Sequence, residues 1–191
     1  MKINRKGQAR ILSTEELDVL IHYLPKKIHQ VLALTCRNTG CRINEACQLT
    51  WEDVAPGFIT FPYNITKKRL ESRTIPIQSK FFKTITEWRH ELESIKGEKL
   101  TDKSYIFPGR FVGSHYQPRS FNKALKIASL KADLPGCSSH TFRRSALTSA
   151  NNQGINMRTI MSLSGHKSLD VLARYLAVSE DQKRECSNAF A

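Results

Sequence analysis

A handful of side chains in this sequence could together attack a phosphodiester. His140 and Arg143 stand three residues apart in the stretch His140-Thr-Phe-Arg143-Arg144, the pair Gly165-His166 follows, and Tyr175 lies nine residues beyond that histidine. Two imidazoles, a guanidinium and a phenol within one C-terminal segment are parts for cleaving such a bond without a metal. A second arginine, Arg42, sits in Thr39-Gly40-Cys41-Arg42-Ile43-Asn44-Glu45, at the start of an expected helix. Displacement at phosphorus needs negative charge stabilised on a pentavalent centre, a phenol held in line, and a proton for the departing sugar oxygen. Arginine suits the first need, because its planar fork donates two hydrogen bonds to phosphate oxygens and stays charged.

Taken singly, each motif has a plainer explanation. Arg42 alone would be a helix-surface cation paired with Glu45, a lone histidine is more often structural, and a tyrosine on an amphipathic helix commonly packs its ring into the core. Their combination and order shift the balance. The chain resembles the tyrosine recombinase (phage integrase) family in its catalytic domain, from about Ser13 to Tyr175.

That resemblance implies Tyr175 as nucleophile, Arg42 and Arg143 on the scissile phosphate, and His140 as a phosphate donor or an aid to removing the phenol proton. It implies that His166 donates to a non-bridging oxygen, and that Glu45 is a carboxylate orienting catalytic side chains. The leaving-group acid is usually a lysine on a β-hairpin. Lys67 follows a threonine as that lysine often does, while Lys68 fits better when counted back from Pro76, so both remain candidates. Arg69, Arg73, Arg144 and Lys167 are further cations expected to contact DNA. Arg144 stands where many members have a second histidine, and it is expected to reach DNA or face solvent. Leu163-Ser164 before Gly165-His166 is a second departure from the family's Leu-Gly-His turn.

Composition agrees with a polyanionic partner. Thirty Lys and Arg against 17 Asp and Glu give a formal charge of +13, spread along the chain rather than gathered in one tail. Cys36, Cys41, Cys47, Cys137 and Cys186 are an odd set without zinc-finger or thioredoxin spacing, and read as reduced thiols in a cytosolic protein. No signal-length apolar run follows the charged start and no window suggests a membrane span.

The elements that must position these residues follow from periodicity. Ser13-Thr-Glu-Glu16 has the form of a capping box, with Leu17, Leu20, Ile21 and Leu24 at helical spacing before Pro25. A second helix is predicted over 26–38 with Ile28, Val31, Leu32 and Leu34 buried, and a third carries Arg42, Glu45, Ala46 and Leu49. β-like runs at 58–61 and 73–77 form a hairpin whose tip holds Lys67, Lys68 and Arg69. Helices are predicted near 79–95, with Phe82, Ile85 and Trp88 inside, and at 120–133, with Phe121, Leu125 and Ala128 inside. Short helices follow at 141–152, 156–163, 168–177 and 179–189.

The expected fold is therefore α+β, mainly α-helical with a small antiparallel β-sheet or hairpin. One catalytic domain is expected over 1–191, with a basic, flexible N-terminal arm at 1–12 and a tail helix at 178–191. The tail is expected to dock on a neighbouring protomer or fold back on its own. No DNA-clamping core-binding domain precedes it in this sequence, and the chain is expected to be either a natively short recombinase, the preferred reading, or a fragment. The resemblance implies DNA strand cleavage and rejoining through a 3′-phosphotyrosine, with neither cofactor nor metal. It implies double-stranded DNA as partner, a homo-oligomer (a tetramer on two DNA sites), an accessory DNA-bending or DNA-binding protein, no membrane, and a cytoplasmic, nucleoid-associated location. Competing classes are a catalytically silent DNA-binding regulator with the same fold, a type IB topoisomerase, and a metal-dependent nuclease. The last normally needs clustered carboxylates, which Glu15-Glu16 and Glu52-Asp53 do not supply.

Overall fold

Ser13 opens the first helix as its capping box requires. In a computed structural model, which describes residues 7–66, 71–176, 180–188 and 190, Ser13 Oγ accepts from the Glu16 amide at 3.2 Å. Glu16 Oε2 in turn accepts from the Ser13 amide at 2.9 Å. Helix α1 (Thr14–His22) then buries Leu17, Leu20 and Ile21 against α2 (Lys27–Thr39). Helix α2 is central, packing on α1 and along α6 (Ser139–Asn152). That setting explains a departure from expectation: α2 buries Val31, Leu32, Ala33, Thr35 and Cys36, a face broader than one stripe, while Ile28 and Leu34 are only half-buried. A buried His29 on the same helix meets the Tyr116 hydroxyl at 2.7 Å.

Gly40 ends α2 in the left-handed region, at φ 61°, a conformation that favours glycine. The chain can then reverse at once into α3 (Ile43–Cys47), with Arg42 just ahead of its first turn rather than within it. A 3₁₀ turn (Trp51–Asp53) leads to a three-stranded antiparallel sheet of β1 (Val54–Ala55), β2 (Phe58–Phe61) and β3 (Arg73–Pro76), in that order. Ile59 pairs with Ile75 and Phe61 with Arg73. The period of two buries Ile59, Phe61 and Ile75 on one face. The expected hairpin is thus present, with β1 added at its edge.

Helix α4 (Ser79–Lys96) buries Phe81, Ile85, Trp88 and Leu92. Phe81, not the expected Phe82, starts that stripe, because 81, 85, 88 and 92 share one helical face and Phe82 lies beside it, half-buried. Helix α5 (Pro118–Lys131) begins on proline, which lacks an amide the first turn could not use anyway, and buries Phe121, Ala124, Leu125 and Ala128. Helices α7 (Met157–Ser164), α8 (Leu169–Ala173) and α9 (Glu180–Asn188) complete the order. Helix α8 ends before Tyr175, shorter than expected.

Among the described residues two apolar clusters result. The larger joins α1 to α6 and the sheet, whereas the smaller consists of buried Leu147, Ile160 and Leu172 with Met157, Met161, Tyr175 and Leu176 packed around them. The N-terminal arm is anchored from residue 8 to 12: Arg10 N donates to Gly136 O at 3.1 Å and Leu12 N to Ser145 Oγ at 2.9 Å. Part of the expected arm thus lies hydrogen-bonded on the body; 1–6 lie outside the described residues. Among the described residues no helix is long and apolar enough to cross a membrane.

Candidate active site

Each element ends where a reactive side chain is needed. The Gly40 turn delivers Arg42 from the end of α2, and the first turns of α6 carry His140 and Arg143. The left-handed Gly165, at φ 67°, turns the chain from α7 into His166, and α8 leads to Tyr175. A Cβ at Gly165 would collide with Nη1 of Arg73, so β3 and the Gly-His turn pass in contact.

Arg143 is 1% exposed. Its Nη1 donates to Gly40 O at 2.5 Å and its Nη2 to Ser164 O at 2.8 Å, while Nη2 also lies 3.1 Å from His166 Nε2. Two main-chain carbonyls from opposite sides therefore hold the guanidinium still. Burial, followed by the nearby Arg42, pushes its pKa down to about 10, which leaves it charged at neutral pH. Among the described residues, Nε of Arg143 and Nε of Arg73 are buried donors without an acceptor. Such groups are rare in native proteins and costly unless something fills them.

Glu45, also 1% exposed, organises the other two arginines. It accepts from Arg42 Nη1 at 2.8 Å, from the Arg42 amide at 3.0 Å and from Arg73 Nη2 at 2.9 Å. Burial works to raise its pKa, but Arg73 and the Arg42 hydrogen bonds outweigh it, so the carboxyl titrates below its ordinary value. Three guanidiniums around one carboxylate leave two positive charges uncompensated among the described residues. The pocket is built for an anion.

His166 completes it. Ser164 Oγ lies 2.8 Å from its Nδ1. Burial first, then Arg143, Arg42 and Arg73, push its pKa down to about 3. The imidazole is thus neutral at working pH and keeps one N–H to donate. The Tyr175 ring lies 4.8 Å from the His166 ring and 6.4 Å from that of His140, with the Arg143 guanidinium carbon 5.5 Å from its centroid. His140 is on the exposed side of this group.

The structure thus brings together Arg42, Glu45, His140, Arg143, His166 and Tyr175. Arg73, expected only as a DNA contact, is part of the same cluster, its guanidinium 5.1 Å over the Phe61 ring and bonded to Glu45. Lys167 is exposed and paired with Glu71 at 3.1 Å. Arg144 requires a correction. It neither faces solvent nor points to the anionic pocket: at 8% exposed, it turns inward and donates to Ala9 O, Gln8 and Tyr175 O, because successive residues of α6 project to different sides. Lys67, Lys68 and Arg69 lie outside the described residues. Ser164 was missed, although the departure Leu163-Ser164-Gly165 had marked its position. Among the described residues no group of three or more His, Cys, Asp or Glu side chains is gathered as a metal would require.

The histidine makes a pH signature. Between its ordinary value of 6.5 and about 3, the unfolded chain takes up a proton at His166 that the native protein refuses. Stability is therefore full above pH 6.5 and is lost as pH falls through that window. Urea unfolding at pH 7.5 and pH 5 should show the parent losing roughly 1–2 kcal/mol more than His166→Gln. His29, whose pKa burial also lowers, contributes equally to both proteins and cancels. Equal losses in the two proteins would rule this account out.

Comparison with known proteins accords with this geometry. The profile of the phage integrase family matches residues 10–182. Tyrosine recombinase XerA of Pyrococcus furiosus is 31% identical over 186 residues, spanning 94% of this chain and 61% of its own length. Tyrosine recombinase XerD of Staphylococcus saprophyticus is 27% identical over 159 residues, 80% of this chain and 50% of that protein. The chain thus covers between half and two thirds of these relatives. Among solved structures, XerA recombinase superposes with a TM-score of 0.77 at 20% identity, over 97% of this chain and 66% of that one. The catalytic domain of bacteriophage HP1 integrase gives 0.63 at 20% identity, over 88% and 87%. At that identity the superpositions speak for the fold, a mainly helical body with a small antiparallel sheet. The profile match runs unbroken through every element that carries the pocket, and on that ground the chain belongs to the phage integrase, or tyrosine recombinase, family.

Proposed function

We propose that this chain is a site-specific DNA recombinase that cleaves and rejoins strands through a covalent 3′-phosphotyrosine. The observation that carries the reading is the Tyr175 ring set against His166 and Arg143 in a pocket with surplus positive charge. A scissile phosphate would supply the missing anion. Arg42 and Arg143 would hold its non-bridging oxygens, His166 would donate a further hydrogen bond, and His140 would help take the phenol proton. The phenolic oxygen attacks phosphorus, the bond to the 5′-oxygen breaks, and that oxygen takes a proton from the acid. The tyrosyl ester keeps the energy of the broken bond, so a 5′-hydroxyl from another strand can reverse the step without ATP. Each preorganised donor at such a centre is typically worth ~3–4 kcal/mol. Glu45 and Arg73 position the arginines.

The same reading makes this a catalytic domain acting on double-stranded DNA in the cytoplasm at the nucleoid, as a tetramer on two sites with an accessory DNA-bending protein. Its relative XerH has been solved bound to its difH substrate. The test is a nicked suicide duplex incubated with the protein in excess chelator. A covalent complex carrying the 3′ end, mapped to Tyr175 by mass spectrometry, supports the reading; no adduct, or one at another residue, overturns it. Transfer of the held strand to a second duplex distinguishes recombination from relaxation by a type IB topoisomerase.

The acid is sought at Lys67 and Lys68. Alanine at the acid should slow cleavage about 10²–10³-fold, and a 5′-thio leaving group, which needs no proton, should restore most of the rate. Alanine at a lysine that only touches phosphate gains nothing from sulfur. Failure of both variants to be rescued would place the acid elsewhere.

A further inference from the structure

Arg144 is a buried cation whose hydrogen-bond partners among the described residues include no carboxylate. Its Nη1 donates to the Ala9 carbonyl and its Nη2 to Gln8 Oε1 at 2.7 Å, while Nε reaches the Tyr175 carbonyl at 3.3 Å. Gln8 Nε2 closes the loop by donating to the Arg174 carbonyl at 3.2 Å. These acceptors belong to two segments at opposite ends of the chain, one entering the domain and one carrying the tyrosine. Desolvating a guanidinium for neutral acceptors is expensive, and burial lowers its pKa, so the contacts demand an account beyond surface charge. Arginine is the residue that can serve them: one planar fork presents donors on both edges, which the single ammonium of lysine cannot do.

The link has leverage because, among the described residues, few main-chain hydrogen bonds hold the Tyr175 segment, which otherwise packs through its side chains on the small apolar cluster and on His166, His140 and Arg143. Helix α8 ends at Ala173, and the next turn rests on two local bonds, Tyr175 N to Leu172 O at 2.8 Å and Leu176 N to Ala173 O at 3.2 Å. Thr148 Oγ1 lies 3.5 Å from the Tyr175 carbonyl, at the limit of a hydrogen bond. The entering segment, by contrast, is bonded to the body through Arg10 and Leu12.

We propose that Arg144 is a positioning residue that ties the entering segment at Gln8-Ala9 to the segment carrying Tyr175, so that how the chain enters the domain governs where the nucleophile lies. The inference rests on the recombinase reading for its effect on rate, and on the hydrogen bonds alone for its effect on order. Movement of whatever lies ahead of residue 8 would thereby be felt at the phenol, through one side chain and without touching the phosphate pocket.

The test uses the full chain with Arg144→Ala, Arg144→Lys, Gln8→Ala and the Arg144→Ala/Gln8→Ala pair. Amide hydrogen exchange at 172–176, adduct formation on saturating suicide duplex in a single turnover, and affinity for an uncleavable duplex are measured. Arg144→Ala should speed exchange at 172–176 and slow adduct formation about 10- to 100-fold, the scale set by an ångström of misplacement. Affinity should change less than about twofold, since no phosphate contact is lost. Lysine should not rescue, and the double variant should behave like Arg144→Ala. Parallel losses of rate and affinity would make Arg144 a DNA contact and overturn the proposal, as would unchanged exchange. Should Arg144→Ala fail to fold, Gln8→Ala decides, because it removes one acceptor and leaves the arginine in place. Should the parent form no adduct, the recombinase reading fails, and exchange at 172–176 alone decides the tether.

Discussion

Tyr175→Phe is expected to bind DNA like the parent and to form no covalent complex with it, a loss of at least about 10⁴-fold in adduct formation. The substitution removes one oxygen and keeps the ring. The contacts that place the residue, to the rings of His166 and His140 and to the Arg143 guanidinium, are contacts of the ring and survive. Stability should therefore stay within about 0.5 kcal/mol of the parent. Other tyrosines have a different setting: Tyr116 is bonded to His29, and Tyr23 and Tyr63 are exposed. A denaturing gel with a labelled 3′ end reads the result directly. Residual adduct in the Phe variant would mean that the nucleophile is another group.

Glu45→Ala should be the most damaging change to the fold of the site. It removes the carboxylate that Arg42 and Arg73 share and leaves those guanidiniums facing Arg143 with no anion between them. Breaking a buried ion pair by removing one partner typically costs 3–5 kcal/mol. That is a large fraction of the roughly 5–15 kcal/mol available to a domain, so urea unfolding should shift to much lower denaturant. Inorganic phosphate in the buffer should recover part of the loss, since an anion in the pocket would bind the native state only. Glu45→Gln should be milder, because one amide oxygen can still accept, yet its NH₂ must then face an arginine. An unfolding midpoint unchanged in Glu45→Ala would show that the carboxylate is not the keystone of the cluster.

Much of this pocket is legible in the sequence. The residues of the resemblance are tied to short spacings, His140 to Arg143 and His166 to Tyr175, and local spacing survives folding. Helices were legible where one stripe is buried, as in α1, and less so in α2, which is enclosed on several sides and buries polar Thr35 and His29 as well. Arg73 could not be recognised as a member of the site from sequence. Its role depends on pairing with Phe61 across the sheet and on the approach of the Gly165 turn, and neither is local. The inward course of Arg144 is illegible for the same reason, since its partners Gln8 and Ala9 are at the other end of the chain. Ser164 shows the opposite case: its bond to His166 is local, but a serine before glycine is too common to stand out.

The pocket straddles two bodies of unequal strength. Arg42 and Glu45 are flanked by Cys41, Ala46 and Cys47 of the large apolar cluster, while Tyr175 packs on the small one, whose buried members among the described residues are Leu147, Ile160 and Leu172. A module with so few buried side chains can detach and reseat at a fraction of the free energy needed to melt the whole. Competence and durability are then separate properties of this molecule. Wear that spares its bulk can still disarm it, and evolution can retune the half that bears the nucleophile without putting the rest of the scaffold at risk.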